Sequence, residues 1–205
     1  MAVVSPVPLA DQRSAEILDS ARRAFAEKGF DGASMQDIAR QAGMSVGNFY
    51  RYFPSKSAIV EALIALDMAE MEQDFATILA HPNPILALRE TIERKITEAD
   101  CQGDGQIWAE ITAASLRKPE IGDATLRMEV GIVAHLTTIF ALAAGVAKEE
   151  AQTRWTAHAH LIVMLVKACA MQHPDNPITA DLTRLVMRNI NQTLDDIATS
   201  AALKG

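Results

Sequence analysis

The segment Ser34 to Lys56, SMQDIARQAGMSVGNFYRYFPSK, constrains this chain more than any other. It reads as two short helices joined by a tight turn, the second too small and too polar on one face to be a core element. The spacing of Ala39, Gly43 and Phe49 suits a helix-turn-helix, in which two helices cross steeply through a short turn. Ala39 is small enough for close approach, and Gly43 can take the positive φ that closes the turn. Ile38 and Phe49 supply the apolar plug between the helices. Ser45 stands where an N-cap belongs, ahead of Val46-Gly47-Asn48-Phe49-Tyr50-Arg51-Tyr52. A unit of this shape implies a module that reads duplex DNA.

The rest of the chain reads as further helices. The 205 residues suffice for one or two domains with a sizeable core. Abundant Ala, Leu, Ile and Met with few alternating β-branched runs predict an all-α protein of about nine helices. Residues 1–10 carry two prolines and no pattern, so they are expected to form a disordered tail. From Arg13, Ile17, Leu18, Ala21, Ala24 and Phe25 share a helical face that Gly29 closes, with Phe30 folding back. Ser34 caps the second helix. Ser55 caps a long fourth one, running through Ile59, Leu63, Leu66, Met71, Phe75 and Leu79. Breaks are then expected at His81-Pro82-Asn83-Pro84, Gly103-Asp104-Gly105, Lys118-Pro119, Gly145 and His173-Pro174-Asp175-Asn176-Pro177. The division this predicts is 11–57 for the helix-turn-helix domain and 58–205 for a larger helical domain.

A net charge of −7 is unusual for a partner of phosphate, but its distribution is uneven. Residues 1–57 hold seven basic and six acidic side chains, a balance of +1, which leaves −8 for the remainder. Repulsion from the acidic body helps turn the N-terminal end toward DNA. No apolar run approaches the ~20 residues of a membrane span, and the N-terminus lacks the basic start of a secretory signal. Cys101 and Cys169 lie far apart in helical contexts and read as reduced thiols of a cytoplasmic protein.

The run AFAEKGFDGASMQDIARQAGMSVGNFYRYFPSKSAIVEAL resembles the DNA-binding domain of TetR-family transcriptional regulators, over roughly residues 13–65. The resemblance implies a three-helix DNA-binding domain joined through helix 4 to an effector-binding and dimerisation domain. It further implies a repressor that binds a near-palindromic operator as a dimer and is released by a small-molecule effector. Ser34 and Ser45 match positions where hydroxyls and free helix amides grip phosphate. Tyr50 and Lys56 match a tyrosine and a lysine that reach the DNA backbone. Val46, Gly47, Asn48 and Arg51 lie on the face that enters the major groove. There Arg51 suits guanine or a phosphate, Asn48 suits adenine, and Gly47 permits close approach. Ser34, Ser45 and Ser55 would cap helices in any protein, so phosphate contact is an added role. Tyr52 reads as packing, and Phe49 and Phe53 as core.

In the C-terminal part, helix 8 is almost apolar from Leu161 to Met171, and helix 9 carries a broad apolar stripe. A monomer of this size is not expected to cover both, and the resemblance implies a symmetric interface of helices 8 and 9 from two subunits. Two recognition helices would then stand about one DNA turn apart, ~34–36 Å. The family architecture also implies a cavity among helices 4 to 8, with Met68, Phe75, Trp108, Ile111, Met128 and Met164 as candidates chosen for bulk and place. Core packing explains each of these equally well. His135 and Lys167 are less usual: Lys167 could meet an acidic effector, snorkel to a rim, or pair with an acid across the dimer.

Enzyme chemistry finds little support. None of the five histidines follows a Glu by three residues, as a carboxylate-bridged metal bundle requires. His158 and His160 lie on different sides of a helix, and neither a nucleophile elbow nor a phosphate loop occurs. No metal or cofactor is expected, and the partners expected are duplex DNA, an effector and a second copy of the chain, with no membrane.

Overall fold

The computed structural model describes residues 9–97, 100–172 and 178–200. Among them are nine helices and no strand: α1 Leu9–Gly32, α2 Met35–Gln41, α3 Val46–Phe49, α4 Lys56–Ala80, α5 Pro84–Thr97, α6 Asp100–Ser115, α7 Pro119–Ala144, α8 Lys148–Ala170 and α9 Thr179–Thr199. They fall into two compact units. The first runs to Leu66 and takes in Ile107–Ala124; the second comprises Asp67–Gln106 and the chain from Thr125 onward. Helices α4, α6 and α7 contribute residues to both.

The first unit is built from apolar positions that recur at helical spacing. Ile17, Ala21 and Phe25 of α1, Ile38 and Ala39 of α2, Phe49 of α3, and Ile59 and Leu63 of α4 are all buried. Ile107, Ile111 and Ile121 are buried in the same unit. At Gly29 the helical path of α1 breaks with φ 72 and ψ 164, a conformation essentially reserved for glycine. Phe30 then folds back onto Phe25, ring centroids 5.5 Å apart.

Ser34 and Asp37 close a reciprocal capping box at the start of α2. α2 ends in a Schellman motif: Gly43 has φ 63, Met44 N donates to Ala39 O and Gly43 N to Arg40 O. Arg13 Nη2 adds a hydrogen bond to Ala42 O at 3.1 Å, tying α1 to the same turn. Ser45 caps α3 and Ser55 caps α4, whose Ala58 N donates to Ser55 Oγ.

In the second unit α5, α8 and α9 pack on one another. Its core joins Phe75 and Ile78 of α4 to Leu88 of α5, Leu136, Ile139 and Phe140 of α7, Trp155 of α8, and Ile190 and Leu194 of α9. α7 is apolar and long enough to cross a membrane by length and composition alone; Val133, Leu136, Ile139 and Phe140 along it are buried in this core. Gly145 closes α7 with a second Schellman motif, Val146 N to Ala141 O and Gly145 N to Leu142 O.

Several expectations change. α1 already begins at Leu9, so the last two residues assigned to the tail are helical, while residues 1–8 lie outside the described residues. α3 ends at Phe49 rather than Tyr52, and residues 50–52 continue as turns. Gly103-Asp104-Gly105 is no break, since α6 starts at Asp100 and runs through it. Gly105 serves close packing instead: a Cβ there would stand 2.0 Å from the Ala170 carbonyl oxygen. The break expected at His173–Pro177 lies outside the described residues. The apolar stripe of α9 is not left uncovered either. Val186, Ile190, Leu194 and Ile197 are buried within the chain itself, against the α5–α8 layer.

Candidate nucleic-acid interface

Within the helix-turn-helix, α3 presents one side chain inward and several outward. Phe49 is fully buried and anchors α3, with the Phe53 ring 6.3 Å away. Gly47, Asn48, Tyr50 and Arg51 are exposed around it and Val46 is half-buried. The side chains of Asn48, Tyr50 and Arg51 take part in no hydrogen bond or ion pair among the described residues. A donor-bearing ridge that the protein itself does not use is what a base-reading surface requires. At Gly47 a Cβ would meet nothing within 4 Å, so the fold places no demand for glycine there. Tyr52, expected as packing, is 37% exposed.

Ser45 Oγ accepts from Asn48 N at 3.4 Å, leaving its own hydroxyl proton free of an intrachain acceptor among the described residues. Ser34 differs. Its hydroxyl donates to Asp37 Oδ2 at 2.6 Å, and its amide donates to the same oxygen at 3.0 Å. The other oxygen of Asp37 accepts from Lys28 Nζ at 2.7 Å and Arg40 Nη2 at 2.6 Å. The Lys28 hydrogen bond, then those from Ser34, hold the Asp37 carboxyl far below its ordinary range. The first turn of α2 therefore already carries an anion. Two of the basic residues counted toward the positive end, Lys28 and Arg40, are paired to it.

Lys56 points back toward the end of α1. Its Nζ donates to Phe30 O at 2.6 Å and Asp31 O at 3.2 Å, and lies 4.8 Å from the Phe30 ring centroid. Burial pushes the pKa of this ammonium down, with Asp31 opposing. Two of its three N–H bonds are engaged, which leaves one for a phosphate.

The eight candidate pocket residues are divided between the two units. Trp108 and Ile111 belong to the first unit; Met68, Phe75, Met128, His135, Met164 and Lys167 belong to the second. Met164 is 61% exposed on α8, because position 164 lies opposite the buried face formed by Trp155, Ala159 and Ile162. Lys167 pairs at 2.6 Å with Glu129 of α7, whose other oxygen lies 3.2 Å from His160 Nδ1. Its acidic partner is thus in its own chain. The Lys167 contact, offset in part by burial, lowers the pKa of Glu129. His135 stacks on Phe75, centroids 4.6 Å apart and 14° from parallel, with no polar partner among the described residues. One turn before it, Gly131 makes room for the Met68 methyl.

Sequence reasoning missed Asp37, although Ser34-x-x-Asp37 is a readable capping signal. It also missed Glu110, whose carboxylate accepts from Phe30 N at 2.9 Å, eighty positions away. Cys169 is a free, half-buried thiol whose pKa burial raises, while the Cys101 side chain lies outside the described residues.

Residues 17–63 match the family model described as "Bacterial regulatory proteins, tetR family". The transcriptional regulator UidR of Escherichia coli K12 is 31% identical over 105 residues, covering 51% of this chain and 53% of the relative. The transcriptional repressor AcnR of Corynebacterium diphtheriae is 36% identical over 91 residues, covering 40% and 47% respectively. The chain spans about half the length of the curated relatives it matches. The structure of Salmonella enterica GusR superposes with a TM-score of 0.73 at 25% identity, covering 96% of this chain and 98% of that one. These likenesses are to regulators rather than enzymes, and the matched segment contains the buried Phe49 and the outward Asn48–Arg51 ridge. Residues 17–63 belong to the TetR family of bacterial regulatory proteins, on a chain whose fold is TetR-like.

Proposed function

We propose that this protein is a dimeric, effector-responsive repressor that reads a near-palindromic operator through α3. The observation that carries the reading is the Asn48–Tyr50–Arg51 ridge, exposed and unpaired around a buried Phe49. In the major groove Arg51 pairs with guanine O6 and N7 and Asn48 with adenine N6 and N7, each bidentate pair giving ~1–3 kcal/mol of discrimination. Ser45, Tyr50 and the remaining N–H of Lys56 hold the DNA backbone, with Val46 and Gly47 against the groove. Ser34 contributes less than its position suggests, since its hydroxyl proton already goes to Asp37.

Dimerisation is assigned to the outer faces of α8 and α9. Ala157, Leu161, Met164 and Ala168 of α8 and its C-cap residue Met171 recur at three- and four-residue steps, and none is buried. Leu185 extends the apolar surface on α9. Repression, rather than activation, is supported by the naming of AcnR as a repressor. Effector release is a population shift: the effector favours the state with mis-spaced recognition helices, since equal affinity for both states would shift nothing. Within the second unit the unpaired imidazole of His135, stacked on Phe75 one turn after the Gly131 that faces Met68, is the effector contact we favour. Access to DNA places the protein in the cytoplasm.

The test uses duplexes selected by the full-length protein from a randomised pool. The reading expects two half-sites about one DNA turn apart, and binding to a lone half-site weaker by orders of magnitude. Selection of no sequence at all would remove it.

A further inference from the structure

We propose that Glu110 of α6 is a positioning residue of the DNA-binding unit, fixing the corner from which the helix-turn-helix hangs. The inference rests on the DNA-binding reading above. After the break at Gly29 the chain makes one more turn, closed by Ala33 N to Gly29 O at 3.0 Å. Such a turn leaves amides unpaired at its start and carbonyls at its end. Here both are met by side chains from elsewhere. Glu110 Oε2 accepts from Phe30 N at 2.9 Å, while Lys56 Nζ donates to Phe30 O and Asp31 O. An anion holds the amide side and a cation the carbonyl side, the arrangement that backbone dipoles favour.

The corner is shaped around that carboxylate. Glycine is required at position 29 by its φ, and a Cβ there would also crowd Glu110 Oε2 at 3.0 Å. Phe30 is buried, so water is a poor substitute for the lost acceptor. Glu110 has no other hydrogen bond or ion pair among the described residues. Asp31–Arg117 at 2.9 Å and Ser57–Glu120 at 3.0 Å join the same stretch to α1 and α4 along exposed edges. The DNA-binding unit is therefore discontinuous: residues 107–124 belong to it, and its corner is completed by a helix whose first residues lie in the other unit.

The experiment compares full-length wild type, Glu110→Ala, Glu110→Gln and Arg117→Ala. Two readouts are taken: exchange of the Phe30 amide in the free protein, and affinity for a duplex selected by wild type from a randomised pool. Glu110→Ala is expected to raise Phe30 exchange tenfold or more over the core amides of α8, and to weaken DNA binding about tenfold. Glu110→Gln keeps a carbonyl acceptor, so its affinity stays within about threefold while the Phe30 amide resonance moves. Arg117→Ala leaves both readouts within about twofold. An unchanged Phe30 amide in Glu110→Ala, or unchanged affinity despite its exposure, overturns the proposal. Should Glu110→Ala fail to fold, an unmoved Phe30 resonance in Glu110→Gln does so. If wild type selects no duplex, the DNA-binding reading fails and the proposal with it, whereas the amide readout still reports the contact separately.

Discussion

Lys56 Nζ lies 2.6 Å from Phe30 O and 4.8 Å from the centroid of the Phe30 ring, so one ammonium holds both the backbone and the side chain of the corner residue. A lysine expected only to grip DNA is thus also a structural cap. Lys56→Met keeps the aliphatic stem and removes the donors. We expect a loss of about 1–2 kcal/mol in thermal or denaturant unfolding, together with weaker DNA binding. Weaker binding with unchanged stability would show that the carbonyl contacts contribute nothing.

Gly47 allows stability and function to be separated. Its backbone is helical, and a Cβ would touch nothing in the protein. Gly47→Ala is therefore expected to stabilise the fold by ~0.5–1 kcal/mol while reducing operator affinity, because the added methyl stands between α3 and the groove. Calorimetry and DNA titration should move in opposite directions. Parallel movement would place Gly47 away from the DNA.

Asp37 predicts a pH dependence with a defined sign. Its native pKa is depressed below the ordinary 3.8, first by Lys28 and then by Ser34. On acidification the unfolded chain takes up this proton first, so the stabilisation is complete above the ordinary value and lost as pH falls toward the native one. Wild type should melt above Asp37→Asn at neutral pH, with the gap closing below about pH 3.8. A gap constant down to about pH 2 would argue against the linkage.

Met164 tests the assembly. It is exposed in the protomer, so Met164→Glu is expected to leave the monomer folded. Placing a charge in the α8 stripe should dissociate the dimer in sedimentation and abolish full-site binding, while half-site affinity persists. A dimer unaffected by the change would move the interface off α8.

Local signals were readable in the sequence and distant ones were not. Gly43 declares its turn because a Schellman motif is completed within six residues, and Ser34 with Asp37 carries its own capping box. Gly105 misleads: a glycine needed for close approach to Ala170 looks the same as one needed for a turn. The stripe of α9 shows which face is apolar but not what covers it, and α5 and α8 of the same chain do so. Lys167 finds Glu129 thirty-eight positions earlier, and Phe30 finds Glu110 eighty positions later. Pairings at that distance are set by tertiary packing, which residue spacing does not encode.

The central claim is that the unpaired ridge of α3 engages DNA through its bases as well as its phosphates. The most direct measurement is the affinity of wild type and Arg51→Ala for the selected duplex, across a salt series and across single base changes. The account predicts a log–log salt slope of about −0.9 per phosphate neutralised. Arg51→Ala should lose ~1–3 kcal/mol with its preference relaxed at one base pair in each half-site, and with stability unchanged. A slope near zero, or an Arg51→Ala profile that matches wild type at every base, would contradict it.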